Sequence, residues 1–100
     1  MAAYQITCIN KPHHLSPHEH ITHIGNTAGN WRLTLASAIN RITNGTDSFY
    51  TIDASTGRQV DIAVVREAGR QPFLRTHADG KWKDNLLAQQ ECGPNCKIID

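Results

Sequence analysis

The chain has 100 residues, a length that one domain fills, so we do not expect a second hydrophobic core. Hydrophobic residues make up 39% and charged residues 19%, which is typical of globular proteins and excludes disordered and fibrous classes. The net charge of +1 predicts no general attraction to nucleic acid or anionic lipid. No segment approaches the roughly 18 apolar residues of a membrane span, and the first residues lack a signal-peptide pattern. We therefore expect one cytoplasmic domain over residues 1–100.

The first element in chain order is a strand. Residues 4–10 alternate partly between apolar and polar side chains, which predicts a strand with one buried face. Residues 12–23 are polar and contain two prolines, so they predict a long loop that leads into a short extended segment at 21–24.

The clearest helix signal begins at Thr34, a residue favoured at helix N-caps. Apolar residues then recur at the spacing of one helix stripe, at Leu35, Ala38, Ile39 and Ile42. The stripe ends at Asn44 and Gly45, where glycine can adopt the left-handed conformation of a C-cap. The pattern predicts a helix over residues 34–43.

Strand signals follow the helix. Residues 48–53, 59–65 and 72–76 are rich in apolar and β-branched residues, and a short segment at 81–83 follows a turn. Tight turns between them predict an antiparallel meander. The expected fold is therefore α+β, with a small antiparallel sheet of about four or five strands and the helix packed on one face.

Short motifs along the chain also resemble a known family. They include Ile6-Thr7-Cys8-Ile9, the segment 17–25, Trp31-Arg32-Leu33-Thr34, Phe49-Tyr50-Thr51, Leu74-Arg75-Thr76 and Asp84-Asn85-Leu86-Leu87. In order and spacing they resemble a small, mostly bacterial family catalogued as domain of unknown function 3892. The resemblance covers about residues 6–92 and leaves 93–100 as a tail without a counterpart. It implies a compact α+β domain, assigns no activity and supplies no catalytic residues.

The chain contains three cysteines, Cys8, Cys92 and Cys96. An odd number without an export signal argues against a disulfide framework, so we expect reduced thiols. Cys92 and Cys96 enclose a turn-forming Gly-Pro-Asn insert, and their spacing is within the range of zinc ligands. Two ordinary thiols beside a terminal turn are the simpler interpretation.

Five histidines lie within eleven residues, at His13, His14, His18, His20 and His23. Imidazole nitrogens at such spacings can converge on a transition metal. One hypothesis is therefore a zinc site that draws two nitrogens and two sulfurs from His14, His18, His20, His23, Cys92 and Cys96. The alternative, which the two prolines of the segment favour, is a polar loop with solvent-facing histidines.

Catalytic patterns are incomplete. His18 and Glu19 open like the HExxH motif of metalloproteases, but Thr22 occupies the position that requires the second histidine. No nucleophile elbow or phosphate-binding loop is present either. A hydrolase-like enzyme is therefore the least favoured function.

Positive charge is concentrated on the predicted sheet. The basic and aromatic residues of this region are Arg66, Arg70, Arg75, Lys81, Trp82 and Lys83. The leading hypothesis is a non-enzymatic binding module that contacts a protein partner through these residues. A second is weak nucleic-acid binding, with Trp82 stacked on a base and its flanking lysines on phosphates. The simplest alternative is a solvated strand face in which Trp82 covers the sheet edge. Pairing of edge strands would also allow a homodimer.

Overall fold

The computed structural model describes residues 2–13, 17–78 and 80–99, which form strands, one α-helix and one short 3-10 helix. The first strands are β1 (Ala2–Gln5), β2 (Cys8–Asn10), β3 (His23–Asn26), β4 (Trp31–Thr34) and β5 (Asp47–Ile52). They are followed by β6 (Gln59–Val65), β7 (Phe73–Ala78), β8 (Lys81–Lys83), β9 (Gln90–Glu91) and β10 (Lys97–Ile98). The helices are α1 (Leu35–Thr43) and the 3-10 helix His18–His20.

The strands form two sheets of five strands each. Sheet A has the order β1-β5-β6-β7-β8, and sheet B has the order β10-β4-β3-β2-β9. In sheet A, β5 to β8 form an antiparallel meander, to which β1 adds a parallel edge strand. The predicted α+β class, meander and single α-helix are confirmed. The second five-stranded sheet, sheet B, was not predicted from the sequence.

The predicted strand at residues 4–10 is divided between the two sheets. The Ile6 N–H donates to Tyr50 O of sheet A over 2.7 Å, whereas the Thr7 N–H donates to Gly25 O of sheet B over 2.9 Å. The hydrogen-bonding partner changes from one residue to the next, and residues 6–7 connect the end of β1 to the start of β2. Alternation of side chains does not reveal such a change, because both halves remain extended.

The predicted helix is confirmed with its caps. The Thr34 side chain accepts a hydrogen bond from the Ser37 N–H over 3.3 Å. Gly45 has a φ of 71°, the left-handed conformation that glycine adopts without steric cost. At the same end, Arg41 Nη1 lies 2.7 Å from Asp47 Oδ2, so an ion pair joins the helix to the start of β5.

One hydrophobic core is shared by both sheets and α1. Its buried members are Ile6, Ile9, Ile21, Ile24, Leu33, Ala38, Ile39, Phe49, Ile62, Leu74 and Leu86. They come from both sheets, α1 and the segments before β2, before β3 and after β8, so both sheets contribute to the same core. The helix packs against β5, β6 and β7, which leaves the opposite face of sheet A away from the core.

The last strands of sheet B require an unusual connection. β9 pairs with β2 at one edge of the sheet, and β10 pairs with β4 at the opposite edge. Residues 92–96, here called the strap, join these two edges. Because Ile9 faces the core, its neighbour Cys8 faces the outside of sheet B, yet Cys8 is fully buried. The strap therefore crosses the outer face of sheet B and covers Cys8.

Within the described part of the chain, no helix is long and apolar enough to cross a membrane.

Candidate functional site: an uncovered sheet face and a cysteine cluster

A row of polar and aromatic side chains crosses the outer face of sheet A. Strand register places five residues side by side, namely Gln5, Tyr50, Asp61, His77 and Trp82. Their neighbours along the strands, such as Phe49 and Ile62, point into the core. Since successive strand residues face opposite sides, the row points away from the core. We call these five residues the sheet A row.

Trp82 ends the row on the edge strand β8. Its side chain is 41% exposed, and its ring packs edge-on against His77 with ring centroids 4.7 Å apart. An exposed tryptophan supported by a neighbouring ring offers a large contact area at a small cost in conformational entropy. Only this residue of the predicted interaction set lies in the row.

Asp61 places a negative charge in the middle of the row. Its carboxylate accepts a hydrogen bond from Gln59 Nε2 over 3.4 Å, and the residue is exposed. Among the residues that the structure describes, no Lys, Arg or His side chain forms an ion pair with Asp61. The centre of the sheet A row therefore carries a negative charge, and Arg75, two residues before His77 on β7, lies on the same face.

Lys81 and Lys83 do not share a face with Trp82. They pair with Ala78 and Thr76, and Thr76 is buried on the core side of sheet A. Alternation along β8 sends both lysines to that side, at the edge of the sheet. The sequence Lys-Trp-Lys thus does not form one basic and aromatic patch in the strand.

The three arginines of the predicted surface are engaged separately. Arg75 Nε donates to Lys83 O over 3.0 Å, and its Nη2 donates to Asp84 Oδ1 over 2.7 Å. Arg66 Nη2 donates to Thr43 Oγ1 at the end of α1 over 2.8 Å. Arg70 lies in the turn before β7, with its Nε 3.7 Å from Glu67 Oε2. The predicted basic residues therefore occupy several places rather than one patch.

The three cysteines form a compact cluster. Cys8 and Cys92 are joined by a disulfide with Cα atoms 4.8 Å apart, and Cys96 is a free, buried thiol. The three sulfur atoms lie within 4.8 Å of one another. The expectation of three reduced thiols is thus wrong for Cys8 and Cys92. The reason is register: β9 pairs with β2, so the first strap residue lies beside Cys8 despite 84 residues of separation.

The predicted histidine ligands are distributed over different surroundings. His18 is buried, with its Nε2 3.8 Å from Asp84 Oδ1, whereas His20 is exposed. His23 lies on β3, where its Nδ1 is 2.9 Å from Thr22 Oγ1. Burial and then the charge of Arg32 lower the pKa of His23. His14 lies outside the described residues.

Among the described residues, the one group suited to holding a metal consists of Cys8, Cys92 and Cys96, without a histidine. The structure therefore brings together the two predicted sulfur ligands and adds Cys8. Cys8 could not be recognised as a third sulfur ligand from the sequence, because its position depends on the register between strands that are distant in the chain.

A polar cavity of about 450 Å³ lies beside the pair formed by Ile9 and Glu91. It is also lined by Lys11, Pro12, His13, Leu87 and Gln89. The cavity therefore lies between residues 11–13 and the residues that precede the strap.

A family model described as "Protein of unknown function (DUF3892)" matches residues 5–88. The chain belongs to this family. The match confirms the resemblance inferred from the motifs. No curated protein and no solved structure gives a significant match to the chain.

The two candidate sites differ in their relation to the DUF3892 region. The whole sheet A row, from Gln5 to Trp82, lies within it. Of the three cysteines, only Cys8 does, because the strap follows residue 88. The DUF3892 region thus contains the complete sheet A row but only one of the three cysteines of the cluster.

Proposed function

We propose that this protein is a non-enzymatic binding module that holds a basic segment of a partner protein on the outer face of sheet A. The observation that carries the proposal is the sheet A row, with an acidic centre and aromatic side chains on both sides. The positions of the carboxylate and the aromatic rings in the row indicate which side chains of a partner could bind there.

An arginine or lysine side chain fits this row. Asp61 offers carboxylate oxygens to a guanidinium or ammonium group, and charge-assisted hydrogen bonds are stronger than neutral ones. Tyr50 and His77 are the cross-strand neighbours of Asp61 on either side. The rings of Tyr50 and, one strand further, Trp82 would add cation–π contacts. A segment with more than one basic residue would therefore span several strands.

The same features disfavour nucleic acid. A phosphate backbone requires exposed cations near the stacking aromatic residue, but Lys81 and Lys83 lie on the other side of β8. Arg75 is neutralised by Asp84, and Asp61 would repel phosphate. Nucleic-acid binding is consequently the alternative that the experiment must separate from peptide binding.

The sequence also predicts that edge strands could pair to form a homodimer, which is a further proposal. The edges of sheet A are β1 and β8, of four and three residues. Short strands and lysines on an edge oppose pairing with a second copy. Sedimentation of the purified chain tests this proposal directly, since a dimer would double the mass.

The test is a fluorescence-anisotropy titration with labelled peptides of alternating arginine and glycine, and with glutamate and glycine in the matched control. We expect only the arginine peptide to bind. In NMR spectra, the amide resonances of β5 to β8 should shift when it binds. The Asp61→Asn variant should bind about fivefold more weakly, as expected for an exposed pair worth about 1 kcal/mol. Glu67→Gln removes an equal charge from the turn before β7 and should leave affinity unchanged.

Two outcomes would contradict the proposal. One is equal affinity of the Asp61→Asn variant and the parent chain for the arginine peptide. The other is tighter binding of single-stranded RNA or DNA than of the arginine peptide at the same salt concentration. The second outcome would favour the nucleic-acid alternative.

A further inference from the structure

The cysteine cluster lies on the opposite side of the molecule from the sheet A row, and it has a chemistry of its own. Three sulfur atoms within 4.8 Å of one another, from Cys8, Cys92 and Cys96, form a compact donor set. Each residue is at most 5% exposed. Thiolate sulfur is the preferred ligand of Zn²⁺ and Cu⁺.

The fold brings the cysteines together from two directions. β2 supplies Cys8, while the strap supplies Cys92 at its first position and Cys96 at its last. The Cys92 N–H donates to Ile9 O, and the Lys97 N–H, directly after the strap, donates to Asn30 O beside β4, so backbone hydrogen bonds to sheet B fix both ends of the strap. The cluster is therefore held by the sheet and does not depend on the disulfide alone.

A positive charge lies on the same face. Register places Cys8, Gly25 and Arg32 in one row across sheet B. Arg32 Nη1 donates to Asn10 Oδ1 over 2.9 Å, and Asn10 Nδ2 donates to Cys92 O over 3.1 Å. The guanidinium is thus linked through one amide to the strap, where it can offset the excess negative charge of a metal bound by three thiolates.

We propose that, once the disulfide is reduced, Cys8, Cys92 and Cys96 bind one thiophilic d¹⁰ cation, either Zn²⁺ or Cu⁺. In the reduction, two small-molecule thiols deliver two electrons and two protons to the Cys8–Cys92 bond and leave as one disulfide. The cation then displaces the three cysteine protons to water. Three thiolates and Zn²⁺ carry a net charge of −1, which Arg32 balances.

The metal and the disulfide exclude each other, because both use Cys8 and Cys92. Reoxidation therefore releases the ion and leaves Cys96 as a thiol. The site is a redox-gated metal site, and it is distinct from the mixed histidine and cysteine set that the sequence suggested.

The test uses the full untagged chain, reduced with dithiothreitol and transferred without oxygen into buffer free of reductant. Zinc is added in competition with a chromogenic chelator, and Co²⁺ serves as a spectroscopic substitute whose thiolate charge-transfer bands report sulfur ligation. Cu⁺ is added separately in competition with bathocuproine disulfonate. We expect one ion per reduced chain, none per oxidised chain, and release on treatment with diamide.

Variants separate the cluster from other ligands. Cys96→Ser keeps the Cys8–Cys92 disulfide, so folding of the oxidised chain can be verified, and should weaken metal binding at least about tenfold after reduction. Cys96→Ala gives the same readout without a hydroxyl. The matched control His20→Gln should leave the metal affinity unchanged.

Three results would overturn the proposal. The first is absence of stoichiometric metal on a reduced chain that retains its circular dichroism. The second is unchanged affinity in both Cys96 variants. The third is a peptide map of the oxidised protein in which Cys92–Cys96 replaces Cys8–Cys92, since the third thiol would then act in disulfide exchange.

Discussion

The outer face of sheet A is uncovered, whereas the outer face of sheet B is covered by the strap. On sheet A the outer face carries the sheet A row, whose members are exposed or half-buried. On sheet B the strap crosses the corresponding face and buries Cys8, Cys92 and Cys96. A sheet face without a covering layer is available for a partner, whereas a covered face adds to stability. Substitutions on the covered face should therefore mainly change stability, and substitutions on the uncovered face should mainly change binding.

The largest expected effect comes from removing the disulfide on the covered face. The Cys8→Ser, Cys92→Ser double variant should lose about 4 kcal/mol of unfolding free energy, because the bond closes a loop of 84 residues in the unfolded chain. Urea unfolding followed by circular dichroism, without reductant, measures the loss. Cys96→Ser removes a sulfur from the same cluster but not the bond, and should cost about 1 kcal/mol. Equal losses in the two variants would contradict the role assigned to the disulfide.

A second effect comes from Gly25, in the middle of the covered face. A Cβ added there would lie 2.8 Å from Arg32 Cβ and would also meet the Trp31 backbone. Gly25→Ala should therefore cost about 2 kcal/mol through overpacking. Gly93→Ala is the matched control, since a Cβ on this strap residue meets nothing within 4 Å, and it should change stability by less than about 0.5 kcal/mol. Chemical denaturation of both variants distinguishes a local clash from a general intolerance of this face.

Trp82 tests the uncovered face. Trp82→Ala removes an edge-on contact with His77 and should cost less than about 1 kcal/mol of stability. The same variant should weaken binding of the arginine peptide severalfold, because the terminal aromatic surface of the row is lost. Thermal unfolding and anisotropy titration together measure both quantities. A large loss of stability with unchanged affinity would assign Trp82 to the fold rather than to recognition.

The smallest expected effect is the pH dependence due to His23. Burial, and to a lesser extent Arg32, lowers the pKa of His23 below its ordinary value of 6.5. The unfolded chain therefore binds this proton more readily, and the contribution to stability is present above pH 6.5 and is lost as the pH falls from there through the lower pKa of the folded chain. His23→Gln should flatten the decline in stability between about pH 7 and 5. Urea midpoints across this range provide the measurement, and parallel curves for the parent and His23→Gln would refute the assignment.

Features that depend on a short segment of sequence could be predicted, whereas features that depend on pairing between distant strands could not. The helix from Leu35 to Thr43 follows from Thr34, the apolar stripe and Gly45, all within one short segment. The meander follows in the same way from alternating segments and tight turns. The cluster of Cys8 with the strap does not, because β2 and β9 are separated by most of the chain. Alternation along β8 likewise separates Trp82 from its lysines, although they are adjacent in sequence.

The amino-acid sequence by itself therefore determined the α+β class, the family, the helix with its caps and the order of the meander strands. These features depend on hydrophobic periodicity and turn chemistry, which operate over a few residues. Only the tertiary structure decided that residues 4–10 serve two sheets, that the strap buries three sulfurs in one cluster, and that an acidic group lies at the centre of the uncovered face. Each of these depends on which strands pair, and pairing is fixed by the shared core rather than by any local pattern.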